Sequence, residues 1–98
     1  MHAVVRRYEG VDSTRVDELT RRVQEGAVPL ISGTPGFVAY YVVDAGGGAV
    51  ASISLFGNKP GADESGRRVG EFVLRSMADL LPNPPQVTAG EVLVDVTK

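Results

Sequence analysis

Between His2 and Thr97 the spacing of apolar positions alternates between about two residues and about three and a half. The first segment, His2 to Glu9, carries the Val4-Val5 pair and Tyr8 and stops at Gly10, which predicts a strand followed by a turn. Asp12, Ser13 and Thr14 then offer N-cap oxygens. Val16, Leu19, Val23, Ala27, Leu30 and Ile31 follow at steps of three, four or one, the period of a helix. Asp17 with Arg21 and Glu18 with Arg22 stand at i, i+4 with the acid first, the favourable order for a solvated helix face. Pro29 lacks a backbone N–H and restricts the residue before it, so the helix is expected to kink or to end near Val28.

Gly33-Thr34-Pro35-Gly36 is turn chemistry, and Phe37 to Val43 reads FVAYYVV, the clearest strand of the chain. After Asp44-Ala45-Gly46-Gly47-Gly48 the run AVASISLF, Ala49 to Phe56, completes an antiparallel hairpin. The glycine triplet has strands on both sides and no helix after it, so it is not a phosphate-binding loop. Beyond Gly57, a second helix is predicted from Pro60 to Leu81, with Val69, Phe72, Val73, Met77, Leu80 and Leu81 on its apolar stripe. Pro82-Asn83-Pro84-Pro85 cannot continue it, and Gln86 to Thr97 alternates around Val92, Val94 and Val96 as a fourth strand.

The order β-α-β-β-α-β is the split βαβ or ferredoxin-like plan, an α+β domain with a four-stranded antiparallel sheet and both helices on one face. With Ala45 to Gly48 as the loop, Phe37 pairs with Phe56, Ala39 with Ser54, Tyr41 with Ser52 and Val43 with Val50, all on one face. A one-residue slip exchanges Tyr41 for Tyr40. Sheets with one wet face alternate apolar and polar residues, yet FVAYYVV is apolar on both faces. Each large apolar side chain gains about 1.5 to 3 kcal/mol on burial, so Phe37, Tyr41, Val43 and Phe56 call for a cover. A second copy of the chain, its sheet facing the first, is the expected one.

Composition narrows the picture. Residues 1–98 form one domain: 43% of them are hydrophobic, which excludes disorder, and no apolar run approaches the roughly 18 residues that cross a bilayer, so no membrane partner is expected. Cysteine is absent, which removes disulfides and thiolate chemistry. The start MHAVVRRYEG has no secretory pattern, and a cytoplasmic protein is expected. A net charge of -2 argues against nucleic acid as a partner, although RNA-recognition modules share the element order. One histidine and scattered carboxylates form no ligand cluster, so no metal is expected.

The segments GTPGFVAYYVVDAGGGAVASISLFGNK, ESGRRVGEFVLRSMADLLP and GEVLVDV, in this order, resemble the antibiotic biosynthesis monooxygenase-like family of dimeric α+β barrels. The resemblance spans nearly the whole chain and rests on a Pro-Gly-Phe turn and apolar patterning. It implies a homodimer with a cavity in each subunit. It also implies oxidation, without cofactor, of a small aromatic, quinol or polyketide-like compound. Such a cavity needs an apolar slot, a proton acceptor and donors aimed at a developing oxyanion. The candidates are Arg6 to hold a phenolate, His2 or Tyr8 to relay a proton, and Tyr41 beside them. Tyr8, Phe37, Ser52, Ser54 and Phe56 are candidate substrate-binding residues on the predicted cavity face. Glu91 and Asp95 on the last strand are further possible bases, although an edge-strand acid is usually solvated. Haem-degrading relatives use a helix histidine and a tryptophan; this chain has no Trp, and its only His is at position 2. The alternative reading is a non-catalytic dimeric module that binds a small ligand or serves a stress or regulatory role.

Overall fold

The computed structural model describes every residue from Met1 to Lys98. Strand β1 (His2–Tyr8) leads through a 3-10 turn (Ser13–Arg15) into helix α1 (Val16–Arg22), a π-helical stretch (Val23–Ala27) and helix α2 (Val28–Ser32). Strands β2 (Phe37–Gly46) and β3 (Ala49–Phe56) form the hairpin, helix α3 (Lys59–Ser76) crosses back, and β4 (Gln86–Glu91) closes the sheet. The sheet is antiparallel in the order β2-β3-β1-β4, the ferredoxin-like α+β plan the element order predicts.

Pro29 does not end the helix, which continues to Ser32. The Val28 N–H bonds to the Val23 carbonyl, one residue further back than in an α-helix, and this wider turn precedes the proline. Pro29 then falls in the first turn of α2, where its missing N–H is least costly. The helix stops at Gly33, whose N–H bonds to the Pro29 carbonyl, while the Thr34 hydroxyl caps Leu30. At α3 the Asn58 side chain accepts from the Gly61 N–H at 2.8 Å. That helix ends five residues before Leu81. The residue before Pro82 is driven from helical backbone, so Met77 to Leu81 coil back and bury Met77 and Leu80.

The core has two adjoining parts under the helices. One gathers Val4, Ala27, Ile31, Phe56, Ala62 and Val69; the other gathers Tyr8, Val11, Leu19, Val50, Met77 and Leu80. Val23, Phe72 and Val73 pack against both. The inner face of the sheet is therefore His2, Val4, Arg6 and Tyr8 on β1 with Val50, Ser52, Ser54 and Phe56 on β3.

Two bulges correct the predicted hairpin register. The turn is the two-residue Gly47-Gly48 pair, both at positive φ, and Gly46 faces Ala49. Irregularities between Asp44 and Gly46 and between Phe37 and Ala39 then leave Phe37 opposite Phe56 as predicted, but set Tyr40 opposite Ser54 and Val42 opposite Ser52. Tyr40 thus lies on the inner face. Tyr41 lies on the outer one, 57% exposed, with Val43, Ile53 and Val5. Phe56, expected on the face that a second copy covers, is instead fully buried under its own helices.

The fourth strand is shorter than predicted. It pairs only with β1, which begins at His2, so its ladder ends with the Val92 N–H bonded to the Met1 carbonyl. Residues 93–98 find no strand to pair with, and Leu93 and Val96 are more than 90% exposed.

Candidate functional site

A cleft runs between the inner sheet face and the helices. At its centre is a void of about 30 Å³ lined by Tyr8, Tyr40, Ser52, Val69 and Met77 among others. It separates two larger open lobes. One, about 300 Å³, lies between the first helical segment and the hairpin, with Val16, Gln24, Val28, Val42 and Asp44 in its walls. The other, about 330 Å³, lies where α3 meets the Pro82–Pro85 run, and Arg6, Tyr8, Gly70, Leu74 and Leu81 line it. Tyr8 and Leu81 border both this lobe and the central void.

β1 positions the polar groups. Its alternation sends Arg6 and Tyr8 inward and Arg7 outward, where Arg7 pairs with Glu9 at 3.3 Å. Burial pushes the Tyr8 phenol up from its ordinary pKa, with the Arg6 charge opposing. Burial likewise pushes Tyr40 up, opposed by the Ser52 hydroxyl and, more weakly, by Arg6. Both phenols therefore remain protonated at neutral pH and act as O–H donors, not as bases.

Arg6 approaches α3 closely. A methyl group on Gly66 would stand 2.5 Å from its Nη2, so the guanidinium lies against the helix at a position that carries no side chain. Arg6 makes no ion pair and donates to no protein side chain or carbonyl, in contrast to the paired arginines of the helix surfaces.

The structure brings together only part of the predicted set. Arg6, Tyr8 and Ser52 converge on the central void and the adjoining lobe. His2 is buried on the same face, but it pairs across from Phe56 and Glu91 at the far end of β1, roughly 13 Å along the strand from Arg6. Tyr41 leaves the site because of the bulge, and Tyr40 replaces it. Phe37 and Phe56 meet edge to face with centroids 5.9 Å apart, and Ser54 is buried between Val4 and Tyr40 on the neighbouring strands. Glu91 bonds the N-terminal ammonium at 3.0 Å. Asp95 lies in the exposed tail and accepts from Thr97. Tyr40 is the tyrosine that a one-residue slip was expected to exchange for Tyr41, and the residues that the sequence reading missed are Gly70, Leu74 and the Pro82–Pro85 wall. The signal for Gly70 was present, since glycines at 66 and 70 recur one turn apart on a helix that neither favours.

No group of three or more His, Asp or Glu side chains converges anywhere to hold a metal. No helix is long and apolar enough to cross a membrane.

This chain has the fold of solved antibiotic biosynthesis monooxygenase-like proteins, a ferredoxin-like sheet carrying its helices on one face. No protein-family model matches the sequence, and comparison with curated proteins finds no match. Solved structures do match. NE2512, a protein of unknown function from Nitrosomonas europaea, superposes with a TM-score of 0.80 at 19% identity over 99% of this chain and 93% of its own. The ActVA-Orf6 monooxygenase of Streptomyces coelicolor, solved with the ligand nanaomycin D, gives 0.76 at 18% identity over 99% and 91%. The haem-degrader MhuD of Mycobacterium tuberculosis, solved with two haems in its active site, gives 0.72 at 15% identity over 99% and 100%.

Proposed function

We propose that the protein is a homodimeric, cofactor-free monooxygenase-like protein that takes a small phenolic compound into the cleft between sheet and helices. The observation that carries this reading is the meeting of one unpaired guanidinium, Arg6, with protonated phenols, Tyr8 and Tyr40, in a cleft whose other polar side chains are only Ser52 and Asn83 around the central void and the Arg6 lobe. An ionised phenol bound there places its oxygen beside Arg6, which stabilises the charge more strongly than water does because the site is partly withdrawn from solvent. The electron-rich ring then reduces dioxygen, and the new bond forms at the para carbon. One oxygen atom stays as the second carbonyl of a quinone. The other leaves as water, with the para hydrogen and the phenolic proton. All four electrons come from the substrate, so no outside reductant is required.

A second reading, a binding module without turnover, is favoured by one feature: the lobe beside Arg6 has no carboxylate or imidazole in its lining. An oxygen electrode with 1-naphthol as probe separates the two. The first reading expects one dioxygen consumed per naphthoquinone formed, a loss of about 10²-fold in Arg6→Met, and an unchanged rate in Tyr41→Phe. Saturable 1-naphthol binding with no oxygen uptake would leave the binding module standing.

The outer sheet face supports the dimer. Tyr41, Val43 and Val38 are about half exposed beside Ile53, Leu55 and Val5, an apolar surface of the kind that monomers seldom leave in water.

A further inference from the structure

Toward the hairpin, the first helical segment and the edge strand β2 draw apart. α2 packs on β2 whereas α1 stands off it, so the space between helix and sheet widens there into the lobe of about 300 Å³. Two ridges face each other across it. Val16, Thr20, Gln24 and Val28 recur every fourth residue, which sets them in one row along the helical segment. Tyr40, Val42 and Asp44 alternate along the inner face of β2. Val42 belongs to the helix-covered side of the sheet and is still 43% exposed, because the wedge leaves it without a full cover.

The walls of this lobe are mainly apolar and carry one charge. Neither Arg6 nor any other cationic side chain lines it. Asp44 accepts the Gly46 N–H on Oδ1 at 2.9 Å beside the bulge that precedes the turn. It enters none of the ion pairs of the chain, so its carboxylate keeps free acceptor sites at the lobe. On the helix ridge the Thr20 hydroxyl donates to the Val16 carbonyl, which leaves the Gln24 amide as the polar group facing Asp44 from that side. A carboxylate only accepts, and its strongest partners are charged N–H donors. A mainly apolar recess with a few converging polar groups is the form that small-molecule sites take.

We infer that this lobe is a second binding site, which takes a small ammonium ion with an apolar body. The body lies against Val16, Val28, Val42 and Val50, and the N–H groups reach the Asp44 carboxylate and the Gln24 side-chain carbonyl. The lobe opens on the central void, with which it shares Val23, Val42 and Val50, and it shares no residue with the Arg6 lobe. The site therefore stands or falls apart from the phenol and oxygen chemistry proposed beside Arg6.

An NMR titration of the full chain, following backbone amides, tests it with cyclohexylmethylammonium and its neutral counterpart cyclohexylmethanol as probes. The ammonium ion is expected to bind about 5-fold more tightly than the alcohol, a modest preference because Asp44 is open to solvent. Its shifts should centre on Gln24, Val28, Val42 and Asp44. Asp44→Asn removes the charge and keeps an oxygen that accepts the Gly46 N–H, so the hairpin should persist while the two affinities become equal. The ammonium-to-alcohol ratio is read within each variant, so a general loss of stability lowers both affinities and leaves the ratio intact. Equal affinities in the wild-type protein, a preference that survives Asp44→Asn, or shifts centred on Arg6 and Leu74 would each overturn the assignment. Selective ammonium binding in a protein that consumes no oxygen with 1-naphthol would uphold this site while removing the oxygenase reading.

Discussion

At the scale of single residues, two glycines in helical backbone behave in opposite ways. Gly26 sits in the π-helical stretch directly over the Phe72 ring, where a methyl group would stand 2.2 Å from a ring carbon. The ring is held between both parts of the core and has little room to retreat. Gly26→Ala is therefore expected to destabilise the fold by about 1 to 3 kcal/mol despite alanine's better helix propensity. Gly70→Ala meets no neighbour and is expected to stabilise by up to about 1 kcal/mol. Thermal unfolding of the two variants beside the wild type checks this: Tm should fall for the first and rise for the second. The contrast was hidden in the sequence, where both are glycines in apolar-periodic helices. Only the opposing element shows which position is crowded.

At the scale of elements, ion pairs hold the helix surfaces in a pattern that spacing predicted only in part. Glu18 bonds both Arg21, at 2.6 Å, and Arg22, at 2.8 Å; Glu64 bonds Arg67 and Arg68 in the same way. The expected pair Asp17–Arg21 does not form, because Arg21 reaches Glu18 and Glu25; on α3 Arg67 likewise reaches Glu71. Arg22 and Arg15 also grip Asp79, tying the first helical segment to the turn after α3. Hydrogen bonds from Arg21 and Arg22 hold the Glu18 carboxyl at about 2, and those from Arg67 and Arg68 hold Glu64 at about 2. Both values lie below the ordinary 4.5, so their contribution is complete above pH 4.5 and is lost as pH falls toward 2. Tm should decline across that window, and the double variant Glu18→Gln, Glu64→Gln should decline less steeply. Both glutamates are exposed to solvent and screening, so added salt should also flatten the wild-type curve.

At the scale of the whole molecule, one sheet face is covered by helices and the other is not. The uncovered face carries Tyr41 and Val43, whose exposure is hard to reconcile with a lone domain of this size. Tyr41→Glu places a charge on that face and should shift the protein from dimer to monomer in light scattering coupled to size exclusion, while Tyr41→Phe should not. A wild-type monomer would remove the proposed dimer.

The element order was legible from the sequence alone because it depends on local period and punctuation. Alternation marks β1 and β3, a period near 3.6 marks α1 and α3, and glycine and proline mark the breaks. Dimerisation was expected on the same ground, from an apolar strand with no polar face. Which tyrosine enters the cleft was decided by tertiary structure. The tight Gly47-Gly48 turn and two bulges set the register between Phe37 and Gly46, and a bulge is a compromise between turn geometry and face burial that no single segment contains. The extent of the last strand was decided in the same way: Val92 to Val96 alternate as a strand should, yet β1 begins too late to pair with them. The site follows that division. Alternation along β1 pointed Arg6 and Tyr8 to one face, but the cleft they open into exists only where α3, thinned by Gly66 and Gly70, crosses that face.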